Sequence, residues 1–153
     1  MKLQISILLS SIQKSSLQLL AVISTFFLPI TGILFLIGFA IVIDTLTGIW
    51  KAKKLGLPIT SRKLSAIVSK LMLYEVAVIL FYLIDKFILN DIILTLFSVP
   101  LMLTKILALI LVSIEVISIN ENYEAVRGIN MWTGMKNLFA RARDIKQDID
   151  TIK

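Results

Sequence analysis

Residues 17–50 are almost continuously apolar, and that run is longer than one membrane crossing needs. As a helix, about 34 residues rise ~51 Å at ~1.5 Å per residue, whereas the hydrocarbon core of a bilayer is only ~30 Å thick. The whole chain is 58% hydrophobic, against about 45–50% for a soluble domain of ordinary composition. Its excess is gathered into a few runs, which is the mark of membrane spans. Pro29-Ile30-Thr31-Gly32 interrupts the first run. Pro29 lacks a backbone donor and disfavours helix at Leu28, and Gly32 loosens the chain. Two crossings need about 40 residues, so the first helix must begin near Ile5. The expectation is a helical hairpin, with helices over about 5–28 and 30–51.

The first half of that hairpin is polar. Ser6, Ser10, Ser11, Gln13, Lys14, Ser15, Ser16 and Gln18 all fall there. Two readings fit: a surface segment that dips into the bilayer at Leu19, or a span whose polar face meets water or other helices. Lys2 and the apolar residues after it resemble the start of a secretory signal, but no small-residue cleavage site follows. The segment is therefore expected to be retained.

A basic stretch, KAKKLGLPITSRKLS, occupies residues 51–65. Lys51, Lys53, Lys54, Arg62 and Lys63 stand there without an acid. Gly56 and Pro58 break the helix, and Thr60 or Ser61 can cap the next one. A short cationic loop between spans belongs on the cytoplasmic side. Two more spans are expected over about 62–89 and 92–122, with Asn90-Asp91 as the turn. Four spans would put both termini in the cytoplasm. The fold expected is all-α: two helical hairpins forming a membrane domain over 1–122, then a cytoplasmic tail over 123–153. In that tail Met135, Leu138, Ala142, Ile145, Ile149 and Ile152 recur by threes and fours, which makes an amphipathic helix. With Trp132 and its cations it suits a membrane surface, and a short coiled coil fits the spacing as well.

Composition removes several chemistries. Cysteine and histidine are absent, so disulfides, thiolate nucleophiles, Cys/His metal sites and imidazole acid–base catalysis are excluded. The net charge of +6 flanks apolar spans and has no aromatic-basic platform, which argues against nucleic acid as a partner. No enzyme activity and no cofactor are expected. Asp44 and Glu75 could be drawn as paired carboxylates, but no nucleophile, metal set or phosphate loop accompanies them.

Ionisable residues within spans cost roughly 2.5–3.5 kcal/mol each on insertion scales, so each one needs a reason. Asp44 shares a helical face with Thr47 and Gly48, a small and polar stripe that lets helices approach closely. Glu75 sits in the third span, and Lys105 lies near the middle of the fourth. Lys105 could snorkel, or pair with Glu75 or Asp85. Asp85 and Lys86 read as residues of the outer interface. Glu115, Ser118, Glu121 and Asn122 form E-x-x-S-x-x-E-N, with 115, 118 and 122 on one face. Asp44, Thr47, Gly48, Glu75, Lys105, Glu115, Ser118, Glu121 and Asn122 are thus candidates for oligomer packing or for lining a pore.

Taken in order, DTLTGIWKAKKLG, ITSRKL, SKLMLY and EVISINEN resemble the phage lysis and toxin-secretion holin family. That family typically shows D-x-x-T-G-x-x-x-A after its first strong span, a basic linker with S-x-K/R, a lysine opening the next span, and E-x-x-S-x-x-E-N before a short tail. These map onto Asp44, Thr47, Gly48 and Ala52, onto Ser61, Arg62 and Lys63, onto Lys70, and onto Glu115, Ser118, Glu121 and Asn122. The resemblance covers roughly residues 30–138. It implies a homo-oligomer of the bacterial inner membrane that permeabilises the bilayer so that a partner endolysin reaches the peptidoglycan. Some relatives look instead like exporters of large proteins or toxins. Two further functions stay open on the residues themselves: an ion or proton channel built on Asp44, Glu75 and Lys105, and a non-catalytic membrane anchor.

Overall fold

The computed structural model describes the backbone of residues 2–152 and the side chains of residues 14–61 and 65–145. The described residues are helical apart from short connections. Their order is α1 (Lys2–Lys54), α2 (Ser61–Ile84), a π-helical segment (Asp85–Leu89), α3 (Asn90–Phe97), α4 (Met102–Arg127) and α5 (Met131–Ile152). The chain folds as two compact units, Met1–Phe35 and Leu36–Lys153.

Three helical stretches among the described residues are long and apolar enough to cross a membrane: Lys14–Lys54, Ser65–Phe97 and Met102–Arg127. The sequence led to four, and the difference lies at Pro29. Lys2–Lys54 is one helix with Pro29 inside it, so the turn expected between 28 and 30 does not form. A turn would free several carbonyls and amides in apolar surroundings, whereas a continuing helix frees only the partner of the missing proline N–H. Nearby threonines support the backbone: Thr25 Oγ1 donates to the Ala21 carbonyl at 2.8 Å and Thr31 Oγ1 to that of Phe27 at 3.1 Å. In the first unit Leu19, Leu20, Val22 and Leu28 are exposed, as a lipid-facing helix requires. The polar face expected over Ser6, Ser10, Ser11 and Gln13 lies outside the described side chains.

The second unit opens with the end of α1. Gly56 takes a left-handed φ of +66°, and Leu57 N–H reaches back to the Ala52 carbonyl at 2.9 Å. That pattern closes a helix with a left-handed glycine just past the capping residue. Thr60 stands at the cap of α2 without a side-chain cap bond. The second reversal differs from expectation. Asn90-Asp91 is helical, and the chain turns at Ser98–Leu101 instead. Pro100 cannot continue a helix, and Ser98 and Leu101 both adopt positive φ, 54° and 55°. The π-helical segment carries the chain past Asn90-Asp91 by inserting a wider turn.

Lys70 meets Glu115 and Asp85 meets Thr104, so α2 and α4 run antiparallel. Their facing stripes recur by threes and fours: Lys70, Tyr74, Val78, Tyr82 and Asp85 on α2, and Thr104, Ala108, Leu111, Glu115, Ser118 and Asn122 on α4. Ile37, Ala40, Ile41, Asp44, Gly48 and Ala52 make the matching stripe at the end of α1. Ile37, Ile41, Val78 and Tyr82 are fully or almost fully buried. Beyond its apolar part α4 runs on to Gly128, which ends the helix at φ +69°. Asn120 Oδ1 accepts the Met131 N–H at 2.8 Å and Asn130 Oδ1 the Thr133 N–H at 2.8 Å, which together start α5.

Candidate functional site: a buried ionic cluster

One polar cluster joins α1, α2 and α4 inside the spans. At its centre is Lys70, whose Nζ lies 2.5 Å from Glu115 Oε2 and 3.3 Å from Asp44 Oδ2. Asn122 Nδ2 donates to Asp44 Oδ1 at 3.2 Å and to Thr47 Oγ1 at 3.3 Å. Lys51 Nζ donates to Asn122 Oδ1 at 3.3 Å. Thr47 Oγ1 also donates to the Asp44 carbonyl, at 2.8 Å. The ring of Tyr74 stands 5.8 Å from the Lys70 ammonium, within the range of a cation–π contact.

The spacing explains why these side chains converge. Asp44 and Thr47 are one turn apart on α1, and Glu115 and Asn122 two turns apart on α4. Lys70 is long enough to bridge both helices from α2. Glu115 is fully buried, and its Oε1 finds no hydrogen-bond partner among the described residues. One ammonium thus faces two carboxylates. A cleft of about 370 Å³ opens beside Asp44, bordered by Gly48, Lys51, Ile67, Ser118 and Asn122.

A second polar contact sits toward the other end of α2. Asp85 Oδ2 accepts both the backbone N–H and the hydroxyl of Thr104 at 2.6 Å. Asp85 is 2% exposed, so its carboxylate is held against protein. It satisfies a free amide in the first turn of α4, where a carboxylate also favours the helix dipole. Lys86 is exposed and donates to the Tyr82 hydroxyl at 2.9 Å.

The structure brings together Asp44, Thr47, Gly48, Glu115 and Asn122, with Ser118 on the cleft wall. Gly48 does not mark a tight crossing, however, since a Cβ there would meet the Asn122 amide nitrogen at an ordinary 3.7 Å. Glu121 is exposed and stands apart. Glu75 is half-buried beside Gly38, and Lys105 is exposed. Neither has an ion-pair partner among the described residues, so the pairing considered for Lys105 with Glu75 or Asp85 is not formed. Lys51 enters the cluster, whereas Lys53 and Lys54 are exposed. The side chains of Arg62 and Lys63 lie outside the described residues. Sequence reasoning noted Lys70 only as the lysine opening a span and did not single out Tyr74. A cation on the same helical stripe as Tyr74, Val78 and Tyr82 was the available signal. Among the described residues no group of three or more Asp or Glu could hold a metal ion.

Residues 21–143 match the model of a family described as the bacteriophage holin family. No match was found among curated proteins or among solved structures.

Proposed function

The chain belongs to the bacteriophage holin family, and from that premise we propose that it oligomerises in the bacterial inner membrane and permeabilises it, giving an endolysin access to the peptidoglycan. The observation that carries this reading is the Lys70–Asp44–Glu115 cluster inside three candidate spans. Charged groups in lipid persist where they face one another or water. Within one chain they satisfy each other and keep the polar faces of α1, α2 and α4 turned inward. In a ring of many copies the same groups can face neighbouring copies or a water-filled lumen, leaving the apolar faces to lipid. The cluster then acts as a latch between an inert and a permeabilising arrangement.

Orientation follows from charge. Lys51, Lys53 and Lys54 at the end of α1, with the cations of α5, lie on the cytoplasmic side. Three crossings then place the start of α1 on the outer face, whereas the four expected from sequence would have placed it inside.

Inducible expression in a bacterium with and without an endolysin tests the reading. A holin gives abrupt loss of membrane potential, and lysis only when the endolysin is present. A selective, pH-dependent conductance would point to an ion or proton channel instead, and an intact membrane to a passive anchor. In the same assay Asp44→Leu should shift lysis time or the crosslinked oligomer ladder. If both stay unchanged, the cluster has no part in assembly.

A further inference from the structure

Beyond the cluster, a second cleft of about 380 Å³ lies between the end of α4 and α5. Tyr123 and Arg127 line it from α4, and Gly134, Asn137, Leu138 and Arg141 from α5. It is built at a fixed place. Gly134 allows α5 to sit against Tyr123, since a Cβ at that position would collide with the Tyr123 hydroxyl. Arg127 lies over the ring of Trp50, 6.0 Å from its centroid, and Trp50 lies 6.2 Å from Tyr123. These contacts hold one guanidinium at the cleft. Neither Arg127 nor Arg141 is paired with a carboxylate among the described residues, where the ion pairs belong to Lys70.

We propose that this cleft binds the phosphate of an anionic phospholipid, with Arg127 and Arg141 as its ligands. Guanidinium groups present planar forks of donors that match phosphate oxygens, and Asn137 and Tyr123 add neutral donors beside them. Position selects a lipid over a free phosphate. Arg127 is the last residue of the candidate span Met102–Arg127, so in the membrane arrangement proposed above the cleft sits where that helix leaves the bilayer. Lys51 and Trp50 reach the same level of α4 from α1. Next to the cleft, Trp132, Leu138 and Phe139 are 64%, 65% and 71% exposed, an apolar surface suited to acyl chains beneath a bound headgroup. An aromatic and basic helix end of this kind matches the interfacial zone of an anionic leaflet.

The full-length protein in vesicles provides the test. Trp50 and Trp132 report lipid contact through quenching by bromine-labelled phosphatidylglycerol or bromine-labelled phosphatidylcholine. The wild type should prefer phosphatidylglycerol, and Arg127→Gln/Arg141→Gln should weaken that preference about 30-fold. Arg143→Gln, an exposed arginine outside the cleft, should leave it unchanged. Arg127→Lys/Arg141→Lys keeps the charge without the fork and should fall between. This lysine variant carries the comparison if the glutamine variant loses its helical circular dichroism. Equal quenching by the two lipids would overturn the proposal. So would an equal loss in Arg143→Gln, full preference in both cleft variants, or displacement by soluble glycerol phosphate as effective as displacement by lipid.

Discussion

Lys70 decides the energetics at the scale of the residue. Its ammonium is the ion-pair partner that the described residues give to the fully buried Glu115 and to Asp44. Removing one member of a buried pair leaves an uncompensated charge, at a cost of roughly 3–5 kcal/mol. Lys70→Leu should therefore lower the melting temperature in detergent sharply. Adding Glu115→Gln should recover part of the loss, because the residual buried charge becomes a neutral amide. Additive losses in the two single variants and the double variant would mean that the pair is not coupled. Two glycines separate in the same way. Gly48→Ala meets only ordinary contact at 3.7 Å and gains up to about 1 kcal/mol of helix propensity. Gly134→Ala drives a methyl against the Tyr123 ring and should loosen α5 from α4, read as faster proteolysis between 128 and 145. Resistance equal to wild type would show that Tyr123 can move aside.

At the scale of the element, α1 departs furthest from its sequence pattern. Pro29 and Gly32 in an aqueous protein would mark a boundary, yet Lys2–Lys54 is helical throughout. In apolar surroundings a turn is the costlier choice, since every exposed amide and carbonyl must find a partner within the chain. Pro29→Ala should therefore restore one backbone hydrogen bond and leave helix content and membrane topology unchanged. A change in the sidedness of residues before 29 would revive the hairpin. The reversal after α2 carries the same lesson. Asn90-Asp91 has turn chemistry, but Pro100 and the left-handed Ser98 and Leu101 place the turn later. Asp85 belongs to this scale too, because its carboxylate caps α4 from the π-helical segment.

The protein as a whole is a multi-pass membrane protein of the holin family, and the number of crossings fixes where its ends stand. The absence of cysteine makes single-cysteine variants clean reporters of sidedness. With three crossings, a cysteine at Ser15 should react with an impermeant reagent from outside, and cysteines at Leu57 and Met135 only after the membrane is opened. Labelling of all three from one side would restore an even number of crossings. Sequence by itself determined the membrane setting, the helical class and the family, whereas the cations of the expected 51–65 loop stand on the ends of α1 and α2. The first three follow from run length, periodicity and motif order, which are properties of the chain read one residue at a time. It also marked Asp44, Thr47, Glu115 and Asn122 as polar groups needing an explanation. Only the tertiary structure decided that Lys70 binds Asp44 and Glu115 together, that Asp85 is a buried cap, and that Glu75 and Lys105 stand apart. Partner choice inside lipid depends on which helical stripes face one another and on how far a side chain reaches, and neither is written in the spacing along a single helix.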